Sequence, residues 1–323
     1  MDRLAGDLGG REQPVELAST PAISFAHQAG EELVQSQARL AVPDELFQLE
    51  HLDVFHDERE QALWTFMRPE GRPSFTPPML QDFVKWQQLI ASQFGPGRTP
   101  LRYLILGSRA PGVFCFGGDL ELFASLIREG NRDGLAAYGY RCVEILNRNL
   151  QSLDLPILTI GLVQGQALGG GFEALLSFDY IVAERGSMFG LPEVKFGLFP
   201  GMGAHAFLSR KLGSAMADRV IMDDKTFSAE QLYDMGIVHV LAEPGEGVAA
   251  THAFMSKAER RHAGLVGARK ASKRSYNLTL SELRDIVDYW ADAALKLRDQ
   301  DLKLMQRLAA AQGRLNPVAT AAA

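Results

Sequence analysis

The chain has 323 residues, 46% of them apolar and 22% charged, enough to bury one large core with appendages. Its net charge of -6 gives no reason for nucleic acid or an anionic membrane to be the main partner. Two cysteines, Cys115 and Cys142, are too few for a disulfide framework and suit a reducing compartment, and no run approaches the ~20 apolar residues of a membrane helix.

Residues 1–44 mix Gly, Gln, Ser and Ala with scattered charges, show little periodicity and read as a poorly ordered leader, with at most a short helix over Glu31 to Leu40. The acidic start (Asp2, Asp7, Glu12, Glu16) lacks the pattern of a secretory signal, so the cytoplasm is the expected location. Leu49 to Phe55 and Gln61 to Met67 read as strands around a polar turn at His56 to Glu60, and Arg68 to Pro78, with four prolines, as loop. Leu80, Phe83, Val84, Trp86, Leu89 and Ile90 then recur at helical spacing through Met79 to Gln93. Tyr103 to Gly107 has the short apolar run of a buried strand, residues 119–129 and 133–151 read as helices, and Pro156 to Val163 is another buried strand.

From Gly161 to Gly203 strands, glycine-rich turns and short helices alternate without a fixed repeat, which is the pattern of an α/β fold. Phe172 to Leu176 reads as a short helix, Tyr180 to Ala183 as a strand, and Ala204 to Leu212 as a helix opened by Pro200 to Gly203. Ser228 is the expected N-cap of a further helix, Val238 to Ala242 an outlying strand, and residues 248–263 and 279–312 two helical stretches. The expected organisation is an α/β core over 45–250, a C-terminal helical region over 251–315 and a frayed tail over 316–323.

The chemistry concentrates in that central stretch. Glu173 and Glu193 lie in apolar, glycine-rich surroundings, where desolvation raises a carboxyl pKa toward neutrality and makes a proton shuttle of it. Two glycine runs, Gly117-Gly118 and Gly169 to Gly171, can each aim a backbone N–H at one oxygen, as an enolate or tetrahedral oxyanion requires. Either run alone reads equally as a tight turn; with the two acids they converge on acyl chemistry.

On these residues the chain resembles the crotonase (enoyl-CoA hydratase/isomerase) superfamily: FGGDLELF at 116–123, ALGGGFEA at 167–174 and FGLPEVKFGLFPGMG at 189–203 match the family's motifs in order, and the likeness runs over roughly residues 48–310. The resemblance implies a ClpP/crotonase fold of repeated ββα units with a C-terminal helical region, oxyanion N–H groups on Gly118 and Gly170, an acid/base pair on Glu173 and Glu193, and homotrimers or dimers of trimers. It implies no cofactor and no metal. A finer likeness, carried by Leu63 to Met67, by Arg72-Pro-Ser-Phe75, by VFCFGGDLELF and by the basic, Trp-bearing C-terminus, is to diffusible signal factor synthases. That likeness implies dehydration of a 3-hydroxyacyl group carried by acyl carrier protein, followed by thioester hydrolysis to a free cis-2-unsaturated acid; a regulatory signalling protein can be a further partner. The alternatives are a generic enoyl-CoA hydratase/isomerase acting on acyl-CoA and a catalytically silent binding module of the same fold. Which Glu is acid and which base stays open.

Other residues invite chemistry and are weighed against simpler roles. Met202, Trp290 and Leu308 are candidates to line an acyl pocket, with ordinary core packing as the competing reading. Arg260, Arg261, Arg269, Lys270, Lys273 and Arg274, free of acids between 260 and 281, suit either a phosphate or acidic carrier surface or a solvated helix face. The seven histidines show no metal spacing, and His205 reads as structural. Cys115 has no His placed near it by sequence and reads as a buried thiol. No Gly-x-Ser-x-Gly elbow and no phosphate-binding loop is present.

Overall fold

The computed structural model of the chain describes residues 42–223 and 225–313. The expected helix over Glu31 to Leu40 and the tail over 316–323 lie outside the described residues, as does nearly all of the expected leader. Among the described residues ten strands follow one another: β1 (Leu52–Asp57), β2 (Ala62–Met67), β3 (Tyr103–Ser108), β4 (Val113–Cys115), β5 (Leu158–Val163), β6 (Gln166–Leu168), β7 (Tyr180–Glu184), β8 (Met188–Gly190), β9 (Thr226–Ser228) and β10 (Val240–Ala242). They form a six-stranded sheet, β1-β2-β3-β5-β7-β10, and a four-stranded sheet, β4-β6-β8-β9. In the larger sheet β1 and β2 pair antiparallel, and the remaining neighbours pair parallel.

The helices are α1 (Pro77–Gln93), α2 (Leu120–Arg128), α3 (Arg132–Leu150), α4 (Gly170–Leu175), α5 (Ala204–Leu212), α6 (Ser214–Met222), α7 (Ala229–Asp234), α8 (Gly247–Ala258), α9 (His262–Tyr276), α10 (Leu280–Ala294) and α11 (Asp299–Gly313). Among the described residues no helix is long and apolar enough to cross a membrane.

The larger sheet is apolar on both faces because it is covered on both. Trp64, Tyr103, Ile105, Leu158, Ile160 and Val182 cluster with Met255 and Ala258 of α8 on one side. Leu63, Met67, Leu104, Leu106, Val163 and Ile181 point the other way, into the main core with α1, α3 and α10. Local signals set the ends. Thr76 caps α1 by accepting from the Met79 N–H at 3.4 Å, with prolines where N–H groups have no helical partner anyway. Ser228 caps α7 as the sequence predicts, in a full capping box with Gln231.

Two helical readings need correction, and a third helix is not read at all. The single stretch expected over 279–312 is two helices: α10 stops at Ala294, the Lys296 and Leu297 N–H groups turn back onto the Ala293 and Ala294 carbonyls, and the chain restarts at Asp299. No Gly or Pro breaks the run; Leu297 packing against Gly197 belongs to the tertiary structure, which overrides local propensity. The reading over 248–263 is likewise two helices, α8 and α9, joined by a tight turn at Glu259–Arg261, and α9 continues to Tyr276. Helix α6 is the third, formed by residues that the sequence reading assigns to no element.

Candidate active site

The four-stranded sheet brings the motifs together. Because β4, β6 and β8 are parallel neighbours, their C-terminal ends lie side by side. Gly117-Gly118 follows β4, Gly169-Gly170 follows β6, and Glu193 follows β8 in a short 3-10 turn, Pro192–Phe196. The two glycine turns pack backbone to backbone: a Cβ on Gly117, whose φ is +88°, would stand 2.6 Å from the Gly170 nitrogen. At Gly169 a Cβ would stand 2.6 Å from Glu193 Oε1, so the second acid rests directly over the second turn. The Gly170 N–H heads α4, a position where an N–H has no helical acceptor.

Glu173 is 1% exposed, and its Oε1 accepts from the Met202 and Ala204 N–H groups at 2.8 and 2.9 Å. Burial raises its pKa to about 7 despite those two donors, which favour the charged form. Glu193 Oε2 is enclosed with no hydrogen-bond partner. Burial, and after it the negative charge of Glu173, pushes the Glu193 carboxyl well above its ordinary range. A negative charge on one carboxyl disfavours ionisation of the other, so the pair titrates as a unit.

Both acids face a cavity of about 220 Å³ that Gly118 and Gly170 also line. All three residues predicted for an acyl pocket, Met202, Trp290 and Leu308, line it too. Phe123 stands edge-on to both Trp290 and Tyr138, with ring centroids 5.0 and 4.9 Å apart. Trp290 in turn lies against Gly201, where a Cβ would come within 2.5 Å of the indole. Leu308 reaches the cavity because α11 folds back after the break at residues 295–298.

Sequence reasoning missed Phe123, Tyr138, Leu168, Lys195, Lys225 and Gln312 among the lining residues. Phe123 is visible in the sequence only as part of a motif, and Tyr138 only as an apolar position of α3. It also missed that the backbone of Met202 holds Glu173, which periodicity cannot reveal.

The remaining candidates fall elsewhere. Arg269, Lys270, Lys273 and Arg274 line a separate cleft of about 570 Å³ with Ser152 and Asp154. Lys273 pairs with Asp179 at 2.7 Å, and Arg269 covers the Tyr180 ring. Arg260 and Arg261 are exposed on the turn between α8 and α9. The Cys115 thiol is buried, accepts the Gly117 N–H and is pushed up to about 12, so it is no nucleophile. His205 stands beside Phe199 and does not line the cavity. Among the described residues no cluster of three His, Cys, Asp or Glu side chains has the geometry to hold a metal ion.

A buried and a half-buried carboxylate, paired with two adjoining glycine turns over an apolar cavity, define a site equipped for proton transfer beside a developing oxyanion. The enoyl-CoA hydratase/isomerase family signature matches residues 62–286, and the chain belongs to that family. Over 183 residues it is 33% identical to the enoyl-CoA isomerase/hydratase fer4 of Mycosarcoma maydis, a match covering 55% of this chain and 63% of that one. The chain spans less than two thirds of the length of this and the other leading curated relatives it matches. In fold it is similar to human mitochondrial delta3-delta2-enoyl-CoA isomerase, with a TM-score of 0.66 at 19% identity over 82% of this chain and 99% of that one. It is also similar to DspI of Pseudomonas aeruginosa, with a TM-score of 0.59 at 22% identity over 71% of this chain and 91% of that one.

Proposed function

We propose that the protein is a diffusible signal factor synthase, which dehydrates a 3-hydroxyacyl group on acyl carrier protein and then hydrolyses the thioester to release a free cis-2-unsaturated fatty acid. The observation that carries the acyl-thioester chemistry is the placement of Glu173 and Glu193, both with raised pKa, in one apolar cavity with Gly118 and Gly170. In the first step one carboxylate takes the proton from carbon 2, and the electron pair moves onto the thioester oxygen, held by the two N–H groups. The enolate then collapses, the bond from carbon 3 to its hydroxyl breaks, and the other carboxyl supplies the proton that makes the leaving group water. In the second step water, deprotonated by a Glu, adds to the same carbonyl. The tetrahedral oxyanion reuses the same donors; as it collapses the carbon–sulfur bond breaks, and the Glu that took the proton from water passes it to the departing thiolate, releasing the acid and the carrier thiol.

The sequence likeness at Arg72 to Phe75 and around Gly118 supports this subgroup, and the apolar wall of Phe123, Trp290 and Leu308 suits a fatty chain. A cytoplasmic homotrimer, or dimer of trimers, acting with acyl carrier protein and open to a regulatory signalling partner, is part of the same proposal. A second reading, an enoyl-CoA hydratase or isomerase, is favoured by the family signature and by the coenzyme A named for its relatives.

Incubation with 3-hydroxyacyl carrier protein and with 3-hydroxyacyl-CoA, followed by mass spectrometry, separates the readings. Free cis-2-enoic acid is the expected product. An intact trans-2-enoyl-CoA in equilibrium with its hydrate sinks the synthase in favour of the hydratase, and no turnover points to a silent binding module.

A further inference from the structure

The Arg72-Pro-Ser-Phe75 phrase has so far served only as a mark of likeness, yet the fold lays it along the first glycine turn. The Phe116 N–H donates to the Pro73 carbonyl at 2.7 Å, and the Phe75 N–H donates to the Gly117 carbonyl at 2.8 Å. That second bond acts on the peptide unit whose other end is the Gly118 N–H. The next peptide unit is clamped at both ends. The Arg72 Nη1 donates to the Gly118 carbonyl at 3.1 Å, and the Asp119 N–H donates to the Tyr138 hydroxyl at 3.3 Å. Tyr138 closes the loop by donating to the Phe75 carbonyl. Both peptides flanking Gly118 are therefore fixed, and with them the direction of its N–H.

Arg72 is the unusual member of this set. Its guanidinium is largely buried, and desolvation lowers its pKa from the ordinary arginine value. Its Nη2 is enclosed without an acceptor, and among the described residues no carboxylate lies within ion-pair distance of it, Asp119 and Glu121 acting on it only from further away. An arginine serving only to tie the strap down gains most from a carboxylate partner, because an unpaired buried charge is costly. Here the strap is already held by backbone hydrogen bonds, and the charge is spent on a peptide carbonyl. The second partner is informative too: Nε donates at 3.0 Å to Gln312 Oε1, on the last turn of α11, and Gln312 lines the cavity.

We infer that Arg72 is the positioning residue of the first oxyanion donor: it fixes the Gly118 peptide, sets a positive charge behind the place where negative charge develops, and through Gln312 couples that peptide to the seating of α11 over the acyl pocket. The inference rests on the acyl-thioester reading of the cavity. It predicts a loss in kcat rather than in substrate affinity, because the contact from the Gly118 N–H to the thioester oxygen matters most when that oxygen is an anion.

The test uses the full chain with Arg72→Ala, Arg72→Lys and Gln312→Ala, read by steady-state kinetics and by binding of a 3-ketoacyl thioester, whose enolate absorbs in the near ultraviolet. Arg72→Ala should lower kcat by about 10²-fold with KM changed by no more than about threefold, the scale of losing one oxyanion donor. It should also weaken the enolate band of the bound 3-ketoacyl thioester, and added guanidinium ion should restore part of both. Arg72→Lys keeps the charge but cannot span Gly118 and Gln312, so an intermediate loss is expected; should the Ala variant fail to fold, Arg72→Lys carries the test. Gln312→Ala should cost about tenfold or less in kcat, as one of two anchors. A parent that shows no enolate band overturns the acyl-thioester reading itself. A parent with the band, and a folded Arg72→Ala variant that keeps both the band and kcat, overturns the role of Arg72 alone.

Discussion

Glu173 and Glu193 reach the same cavity from opposite kinds of structure. Glu173 sits in the first turn of α4, fully enclosed, with one carboxylate oxygen pinned by two backbone donors from the Gly201–Ala204 turn. Glu193 sits in the Pro192–Phe196 turn, whose neighbours Val194 and Lys195 are exposed; its backbone is held through the Leu198 N–H, but its Oε2 meets nothing. Burial raises both pKa values, yet Glu173 has two firm donors that offset it. The difference separates placement from readiness: one carboxylate is fixed in position, the other keeps an unpartnered oxygen.

The largest effects should come from removing either carboxylate. Glu173→Gln and Glu193→Gln should each lower kcat by about 10³- to 10⁴-fold, the upper range for general acid–base catalysis. In Glu173→Gln the amide oxygen can still accept from the Met202 and Ala204 N–H groups, so that variant should fold normally. Because the two acids work as a unit, the double variant should be little worse than either single one. Multiplying losses would break the picture of a coupled pair. Next in size is Gly117→Ala, which places a methyl 2.6 Å from the Gly170 nitrogen at a φ of +88° and so displaces both donors at once. A fall in kcat of about 10²- to 10³-fold is expected, and circular dichroism with a thermal melt would show whether fold or donors failed.

A third effect is thermodynamic. A carboxyl whose pKa rises from 4.5 to about 7 on folding binds its proton more tightly in the folded chain. Stability from this group is therefore full below the unfolded value and is lost as pH climbs from about 4.5 through 7, by something on the order of 3 kcal/mol. Glu173→Gln should remove that decline, so its denaturation midpoint should gain on the parent's across this window and level off above it. An unchanged difference between about pH 4.5 and about pH 8 would mean that Glu173 is not desolvated as its surroundings require.

Much of this site was legible before folding. The acids stood out because carboxylates are rare among glycines and apolar residues, and Gly117 and Gly169 to Gly171 because runs of glycine mark places where a side chain is forbidden. Most strands and helices followed from the alternation and spacing of Leu, Ile, Val and Phe. The break between α10 and α11 was not legible, since Ala293-Ala-Leu-Lys-Leu297 favours helix locally and is overruled by packing against Gly197. The same limit hid Tyr138, Arg72 and the backbone of Met202. Their roles lie in hydroxyl, guanidinium and N–H groups that meet partners 19 to 240 residues away, and no periodicity encodes such meetings.

The smallest effect expected is at Leu308, and it sharpens the contrast between the two acids. Trp290 leans on Gly201, beside the Met202 N–H that holds Glu173, so altering it disturbs the fixed carboxylate as well as the wall. Leu308 comes from α11, which packs instead on α2 and on the turn carrying Glu193, and it is only partly buried. Leu308→Ala should therefore widen the pocket without moving the Glu173 anchor. KM for long acyl chains should rise by about tenfold with kcat nearly unchanged, the signature of lost uniform binding. A series of 3-hydroxyacyl substrates of increasing length would measure it. If kcat fell instead at every length, α11 would be setting the position of Glu193, and the unpartnered oxygen would be as firmly placed as the pinned one.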